Sequence, residues 1–190
     1  MAGRTCPLWV GYLLLNPLRK FLENPERMLG GFVKEGMTVL EPGCGMGYFT
    51  LPLAGMVGAE GRVIAVDIQP KMLAGLSKRA QKAGLFDRIE IRRAGSDGLD
   101  FADLAGQVDF VAAIHMVHEM PDARRFFSEV RRALKSGGRI LVVEPKGHVS
   151  KAHFAETVAA AEQVGFRVDP DFSETRNRKA LLVKVDRAGS

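Results

Sequence analysis

The chain has 190 residues, of which 46% are apolar, enough for one substantial core but too few for two full domains. Its 27 basic and 22 acidic side chains leave a net charge of +5, and this mild excess does not by itself indicate a nucleic-acid partner. The two cysteines, Cys6 and Cys44, are too few for a disulfide framework or a four-ligand zinc site, so we expect free thiols in a reducing compartment, the cytoplasm.

Residues 1–35 are predicted to form an N-terminal helical segment. The apolar run at residues 8–15 is much shorter than the roughly 20 residues that cross a bilayer, so we expect no membrane span. Two Asn-Pro pairs, starting at Asn16 and Asn24, each place a capping residue before a proline that suits the first helical turn. Because apolar residues recur at helical spacing, the segment either packs against the rest of the protein or covers a site as a lid.

Residues 36–186 are predicted to form one α/β domain. Short β-rich runs alternate with amphipathic helical segments, and this alternation indicates a mostly parallel sheet covered on both faces. The predicted strands are residues 37–42, 62–67, 89–94, 108–114 and 139–144, and the predicted helices include residues 70–83 and 123–134.

The order of elements changes after residue 144. A helix at residues 154–164 is followed by strands at 166–168 and 180–185, with a polar loop between the two strands. Two successive strands without an intervening helix indicate an antiparallel pair at the end of the domain.

The glycine-rich stretch EPGCGMGYFT, residues 41–50, begins at the end of the first predicted strand. Glycine is costly in regular structure, so Gly43, Gly45 and Gly47 suggest a turn that needs positive φ or close approach by a ligand. Ligands of open parallel sheets bind beyond the carboxyl ends of the strands, where this stretch lies. A dinucleotide fingerprint would need glycine at the position of Tyr48, which disfavours a nicotinamide-dependent reductase.

With Glu41 two residues before the first glycine, the Gly-x-Gly-x-Gly pattern resembles the signature of class I S-adenosylmethionine-dependent methyltransferases, of the small UbiE-like and methyltransferase-11-like kind. The resemblance extends over residues 37–185. It implies a Rossmann-like α/β fold with about seven mostly parallel strands and an antiparallel last strand. It also implies S-adenosyl-L-methionine as the cofactor and S-adenosyl-L-homocysteine as the product.

The resemblance further implies which residues hold the cofactor. Asp67 ends the second strand, where the family has an acidic ligand of the ribose, and Ile68 would pack on the adenine. Ser96 and Asp97 follow the third strand, where family members contact the adenine amino group. The implied cofactor-binding residues are Glu41, Gly43, Gly45, Gly47, Asp67, Ile68, Ser96, Asp97 and His115. The turn before the fifth strand is expected at Gly137-Gly138.

His118 and His115, in the stretch AIHMVHEM after the fourth strand, are the candidate catalytic residues, because the resemblance places this stretch beside the methyl group. A general base is needed only if the acceptor is protonated at the working pH. His115 could instead be structural. A zinc site that also uses Glu119 is an alternative, but the order of residues differs from known zinc motifs and we expect no metal. The stretch from Glu144 to His148 could also reach the acceptor or serve as loop scaffold.

A small-molecule acceptor is the expected partner. The sequence lacks the Asn/Asp-Pro-Pro-aromatic motif typical of methylation at exocyclic or amide nitrogen, and its two cysteines do not suit paired-cysteine chemistry on cytosine. Three arginine doublets could follow a phosphate backbone, although such doublets on amphipathic helices are usually solvated. Two alternatives stay open: a non-catalytic S-adenosylmethionine-binding module, and a methyltransferase that acts on RNA or protein. The doublets are Arg92-Arg93, Arg124-Arg125 and Arg131-Arg132.

Overall fold

The computed structural model describes residues 23–95, 101–172 and 178–186. These residues fall into two compact units, an N-terminal unit of residues 23–95 and a C-terminal unit of residues 101–172 with 178–186. Several predictions made from the sequence lie outside the described residues. They concern Cys6, the Asn16-Pro17 pair, most of the proposed lid, Ser96 and Asp97.

The N-terminal unit opens with a short helix, α1 (Pro25–Leu29), whose ends follow the predicted signals. Asn24 caps it, because its side-chain oxygen accepts hydrogen bonds from the backbone N–H groups of Glu26 and Arg27 at 2.9 and 3.2 Å. Gly30 follows the last helical residue. The elements that follow are β1 (Thr38–Pro42), α2 (Thr50–Met56), β2 (Arg62–Asp67), α3 (Pro70–Lys82), a 3-10 turn (Phe86–Arg88) and β3 (Ile89–Arg93).

The three strands of this unit run parallel in the order β3-β2-β1. Leu40 of β1 stands opposite Ile64 of β2, and Ala65 of β2 stands opposite Ile91 of β3. Residues 63–66 of β2 are at most 1% exposed, as expected for a parallel strand covered on both faces. Helix α3 buries a stripe of apolar side chains at helical spacing, namely Met72, Leu73, Leu76 and Ala80.

The C-terminal unit holds four strands in the order β4-β5-β7-β6. Strands β4 and β5 are parallel, whereas β7 is antiparallel to both β5 and β6. The predicted antiparallel pair at the end of the domain is therefore confirmed. The elements are a 3-10 turn (Ala102–Leu104), β4 (Val108–Ile114), a 3-10 turn (Val117–Glu119), α4 (Ala123–Ala133), β5 (Leu134–Val143), α5 (Lys151–Gln163), β6 (Phe166–Val168) and β7 (Lys179–Lys184).

Two predicted boundaries in this unit are wrong. Strand β5 starts at Leu134 rather than at Arg139, because Val108 already pairs with Leu134 and the ladder then shifts register before Phe110 pairs with Arg139. The Gly137-Gly138 pair thus forms an irregularity within the strand and not a turn before it. Helix α5 starts three residues earlier than predicted, since the Ser150 hydroxyl accepts a hydrogen bond from the backbone N–H of His153 at 3.0 Å.

The two units together contribute seven strands, most of them parallel, with helices between them. The predicted α/β class with an antiparallel last strand is confirmed. In the part of the chain that the structure describes, every helix is too short or too polar to cross a lipid bilayer.

Candidate active site

The glycine-rich loop leaves β1 with a left-handed glycine at every second position. Gly43, Gly45 and Gly47 have φ of 73°, 53° and 83°, values that residues with a Cβ rarely adopt. The backbone N–H groups of Gly43 and Cys44 both donate to the carbonyl of Val66 at 2.7 and 3.1 Å, which fixes the loop to the end of β2. The sequence therefore predicted correctly that these glycines shape a turn.

Gly45 and Gly47 differ in what surrounds them. A Cβ added at Gly45 would meet no atom within 4 Å, so the loop is open on that side. A Cβ added at Gly47 would clash with Leu76 Cδ1 of α3. Gly47 is thus needed for close packing of the loop on α3, whereas at Gly45 the bare backbone faces space that another molecule can occupy.

Asp67 lies at the end of β2 and is joined to the glycine-rich loop. Its Oδ2 accepts a hydrogen bond from the backbone N–H of Gly45 at 2.9 Å, and its Oδ1 accepts one from the N–H of Gln69 at 2.8 Å. An ionised carboxylate offers about four acceptor positions, so about two remain for a ligand. The adjacent Ile68 is 44% exposed, which makes it one of the few large apolar side chains at the surface of the described residues.

Glu41 is a buried carboxyl group in this region, only 4% exposed. Burial, the largest cause, raises its pKa from 4.5 to about 8, the hydroxyl of Thr50 opposes the rise, and the charge of Asp67 adds to it. Within the described residues, neither Oε2 of Glu41 nor Oγ1 of Thr50 has a hydrogen-bond partner of good geometry. Oε2 of Glu41 is therefore a buried polar atom without a partner at the start of the loop.

Cys44 is a free thiol and is buried, as expected for a small residue that fills the loop interior. Burial, and then the charges of Glu41 and Asp67, raise the pKa of this thiol well above its ordinary value. A thiol in such surroundings is a poor nucleophile, because the thiolate is the reactive form. Cys44 therefore contributes packing to the loop and not covalent chemistry.

His115 and His118 follow β4 in the C-terminal unit. His115 turns the chain sharply, with a φ of 58°, while its backbone N–H donates to the carbonyl of Val143 at 2.7 Å. His118 lies in the 3-10 turn that follows, and its ring nitrogen Nδ1 is 2.5 Å from Oε2 of Glu144. The predicted histidines thus lie at the carboxyl end of β4. The contact of His118 with Glu144, which the sequence did not pair, joins this end to that of β5.

The pKa of the His118 imidazole is raised above its ordinary 6.5. The hydrogen bond to Glu144 is the largest cause, partial burial opposes it, and the charges of Glu144 and Glu119 reinforce it. Among the residues that the structure describes, no three His, Cys, Asp or Glu side chains lie close enough to hold a metal ion. In the described part of the chain, Glu119 and His115 therefore do not form a zinc-binding set with His118.

The arginine doublets proposed as phosphate contacts are partly engaged within the protein. Arg92 pairs with Glu90 at 2.5 Å, and Arg125 pairs with Glu129 at 3.1 Å. Arg131 donates through Nη2 to the carbonyl of Val185 at 2.7 Å. One arginine of each doublet is thus held by a neighbouring group, which weakens the case for a continuous phosphate-binding surface.

Residues 40–142, more than half of the chain, match a protein family described as "Methyltransferase domain". The curated relatives include the ubiquinone/menaquinone biosynthesis C-methyltransferase UbiE of Klebsiella pneumoniae subsp. pneumoniae, which is 30% identical over 143 residues, 73% of this chain and 56% of that protein. They also include a demethylmenaquinone methyltransferase of Bacillus velezensis, 31% identical over 112 residues, 59% of this chain and 47% of that protein. The chain spans about half the length of these curated relatives.

Solved structures with a similar fold include a SAM-dependent methyltransferase from Aquifex aeolicus, with a TM-score of 0.79 and 26% identity over 94% of this chain and 97% of that one. A SAM-dependent O-methyltransferase from Thermotoga maritima has a TM-score of 0.68 at 22% identity, covering 93% of this chain and 73% of that one, and supports the fold alone. The resemblance identified in the glycine-rich loop is confirmed, and the chain belongs to the methyltransferase domain family of the class I, S-adenosylmethionine-dependent kind.

Proposed function

We propose that this protein is an S-adenosylmethionine-dependent methyltransferase that methylates a small-molecule acceptor and releases S-adenosylhomocysteine. One observation carries the proposal: the open, left-handed Gly45 has its backbone N–H held by the Asp67 carboxylate, so that bare backbone and a carboxylate with acceptor positions left over lie side by side. The family match supports it, as do relatives whose names describe methylation in quinone biosynthesis.

The residues of the N-terminal unit fit an adenosyl cofactor. The remaining acceptor positions of Asp67 suit the two hydroxyls of a ribose, and the exposed Ile68 beside it offers an apolar surface for the adenine. The open face at Gly45 allows close approach of the ligand to the backbone. The unpaired Oε2 of the Glu41 carboxyl is a further polar atom near the loop. Gly43 and Gly47 hold the loop in shape.

When bound, S-adenosylmethionine supplies a methyl group already activated on a sulfonium. The task of the protein is then to orient the acceptor and to exclude water, which in favourable cases is worth roughly 7–11 kcal/mol. His118 and His115 are the proposed catalytic residues, and His115 is also proposed to contact the cofactor. Ser96 and Asp97 are proposed to contact the adenine amino group.

Residues 36–186 are proposed as the catalytic domain, and residues 1–35 as a segment that packs on it or covers the site. Tyr48, which follows the last loop glycine, donates from its hydroxyl to the carbonyl of Glu23 at 2.8 Å. The loop thus contacts the described end of the N-terminal segment. Deletion of residues 1–22 should lower both cofactor affinity and turnover. If both stay at wild-type values, the segment is not a lid.

Calorimetric titration with S-adenosylmethionine and S-adenosylhomocysteine tests the cofactor, and S-adenosylhomocysteine release with a panel of phenols, amines, thiols and a small RNA tests the acceptor class. We expect saturable binding of both cofactor forms and turnover with a small molecule. Absence of binding at millimolar cofactor would refute the proposal. Binding without turnover on any acceptor would favour the non-catalytic module, and turnover on RNA alone would refute the small-molecule acceptor. The cytoplasmic location stays a prediction, which cell fractionation can test.

A further inference from the structure

We propose that helix α3 holds the glycine-rich loop in its binding conformation before the cofactor arrives, and that Arg79 is the positioning residue that does so, through the backbone carbonyl of Met46. This inference rests on the proposed S-adenosylmethionine-dependent function and adds a residue from outside the glycine motif to it. It concerns the N-terminal unit alone.

The first half of the loop is held by the end of strand β2. The backbone N–H groups of Gly43 and Cys44 donate to the carbonyl of Val66 at 2.7 and 3.1 Å. The N–H of Gly45 donates to Oδ2 of Asp67 at 2.9 Å. These contacts with β2 end at Gly45, so the second half of the loop depends on another element.

Helix α3 supplies the contacts of the second half. Nη1 of Arg79 donates a hydrogen bond to the carbonyl of Met46. A Cβ added at Gly75 would lie 3.1 Å from Cγ of Met46, and one added at Gly47 would clash with Cδ1 of Leu76. Positions 75 and 76 lie four and three residues before 79, so the three share one face of the helix. We call Gly75, Leu76 and Arg79 the α3 clamp.

The composition of the loop explains why a second anchor affects ligand binding. Three of the five residues 43–47 are glycine. Because glycine loses the most backbone freedom when it is fixed, such a loop keeps one conformation only where neighbouring contacts hold it. Contacts that exist before a ligand binds remove this ordering cost from binding and so raise affinity. The open Gly45 lies between the contacts with β2 and those with the α3 clamp.

The surroundings of Arg79 support a specific contact. Its side chain is partly buried, and this burial lowers the pKa of the guanidinium. A charged group that leaves water loses hydration free energy unless its N–H groups find acceptors, and the carbonyl of Met46 is such an acceptor. A hydrogen bond from a charged donor is also stronger than a neutral one. The partners are 33 positions apart, so the glycine motif does not contain this contact.

Arg88, in the 3-10 turn before β3, provides a matched control. It is also partly buried, and its Nη1 donates to a backbone carbonyl, that of Ala54, at 3.3 Å. Ala54 lies within α2, beyond the glycine-rich loop. Arg88→Met therefore removes the same kind of bond without touching the loop, and it controls for a general loss of stability.

Amide hydrogen exchange of the ligand-free protein tests the clamp directly. In Arg79→Met the N–H groups of Gly45 and Gly47 should exchange roughly tenfold faster than in the wild type, whereas in Arg88→Met they should stay within about twofold. By calorimetry, Arg79→Met should bind S-adenosylmethionine and S-adenosylhomocysteine roughly tenfold more weakly, because the loop must then be ordered during binding. Arg79→Lys keeps a cationic donor and should lose less affinity. Arg88→Met should bind both forms as the wild type does.

Wild-type affinity in Arg79→Met, or an equal loss in Arg88→Met, would overturn the proposal. Equal affinities of Arg79→Lys and Arg79→Met would overturn the role of the donated hydrogen bond. If Arg79→Met fails to fold, Gly75→Ala decides, since alanine is the better helix former but its Cβ displaces Met46. Its cofactor affinity should fall at least about threefold without a loss of stability, and unchanged affinity would contradict the clamp. If the wild type binds neither cofactor form, the proposed function is refuted, while the exchange rates still test the clamp.

Discussion

The buried carboxyl group of Glu41 should make the protein less stable as pH rises. Its pKa is about 8 in the folded protein against an ordinary 4.5, so the folded state holds this proton more tightly. The resulting stability is fully present below pH 4.5 and is lost as pH rises through about 8. Each pKa unit corresponds to about 1.4 kcal/mol, so the whole difference is on the order of 5 kcal/mol.

Glu41→Gln isolates this contribution, because the amide keeps the shape of the protonated acid and does not ionise. We expect the free energy of unfolding of the wild type, relative to that of the variant, to fall by about 1.4 kcal/mol per pH unit between pH 5 and 8 and then to level off. Groups such as His118 titrate in both proteins and cancel in the difference. Urea unfolding at pH 5, 6.5, 8 and 9, followed by circular dichroism, measures it.

The exposed Glu60 provides the control, since Glu60→Gln removes a carboxylate that is not buried. The difference between this variant and the wild type should stay nearly constant over the same pH range. A constant difference for Glu41→Gln as well would show that Glu41 is ionised in the folded protein at neutral pH. The reasoning from burial would then be wrong.

Three further substitutions test the loop, the carboxylate and one helix cap. Asp67→Asn should weaken S-adenosylmethionine binding by about 1.5–3 kcal/mol, roughly 10- to 100-fold by calorimetry. The surface variant Asp87→Asn should bind as the wild type does. If Asp67→Asn also binds with wild-type affinity, Asp67 does not belong to the site. Gly45→Ala should lower cofactor affinity at least tenfold and the free energy of unfolding by about 1–2 kcal/mol. Gly47→Ala, whose new Cβ clashes with α3, should lower the free energy of unfolding in urea by more. A larger loss of stability in Gly45→Ala than in Gly47→Ala would contradict the assigned roles. Ser150→Ala should cost about 1 kcal/mol of unfolding free energy with unchanged cofactor affinity, and an unchanged urea midpoint would show that this cap adds nothing.

Strands were predictable where the sequence is a short, wholly buried apolar run. The predicted ranges 62–67 and 108–114 coincide with β2 and β4, because central parallel strands need apolar side chains on both faces. The start of β5 was missed because its glycine pair signals a turn, whereas the strand accommodates it as an irregularity. Helix α2 was not located, since Phe49 supplies no side-chain cap and the helix contains both proline and glycine.

The candidate site was predictable only where a motif is local. The glycines and Asp67 belong to a pattern that can be read along the chain, and the structure joins them through the N–H of Gly45. The bond between His118 and Glu144 connects residues 26 positions apart, and it depends on two strands ending at the same level. Both residues were noted at strand ends. Their pairing required the register, which periodicity does not provide.

The position of β7 between β5 and β6 has a consequence for biosynthesis. Among the described strands β7 is the last to be synthesised, yet it pairs on both edges, with β5 on one side and β6 on the other. During translation the β5 edge therefore has no intramolecular partner until residues 179–184 have left the ribosome. An unpaired edge on an apolar strand can pair with other chains, so the nascent protein should depend most on chaperones at this late stage of synthesis.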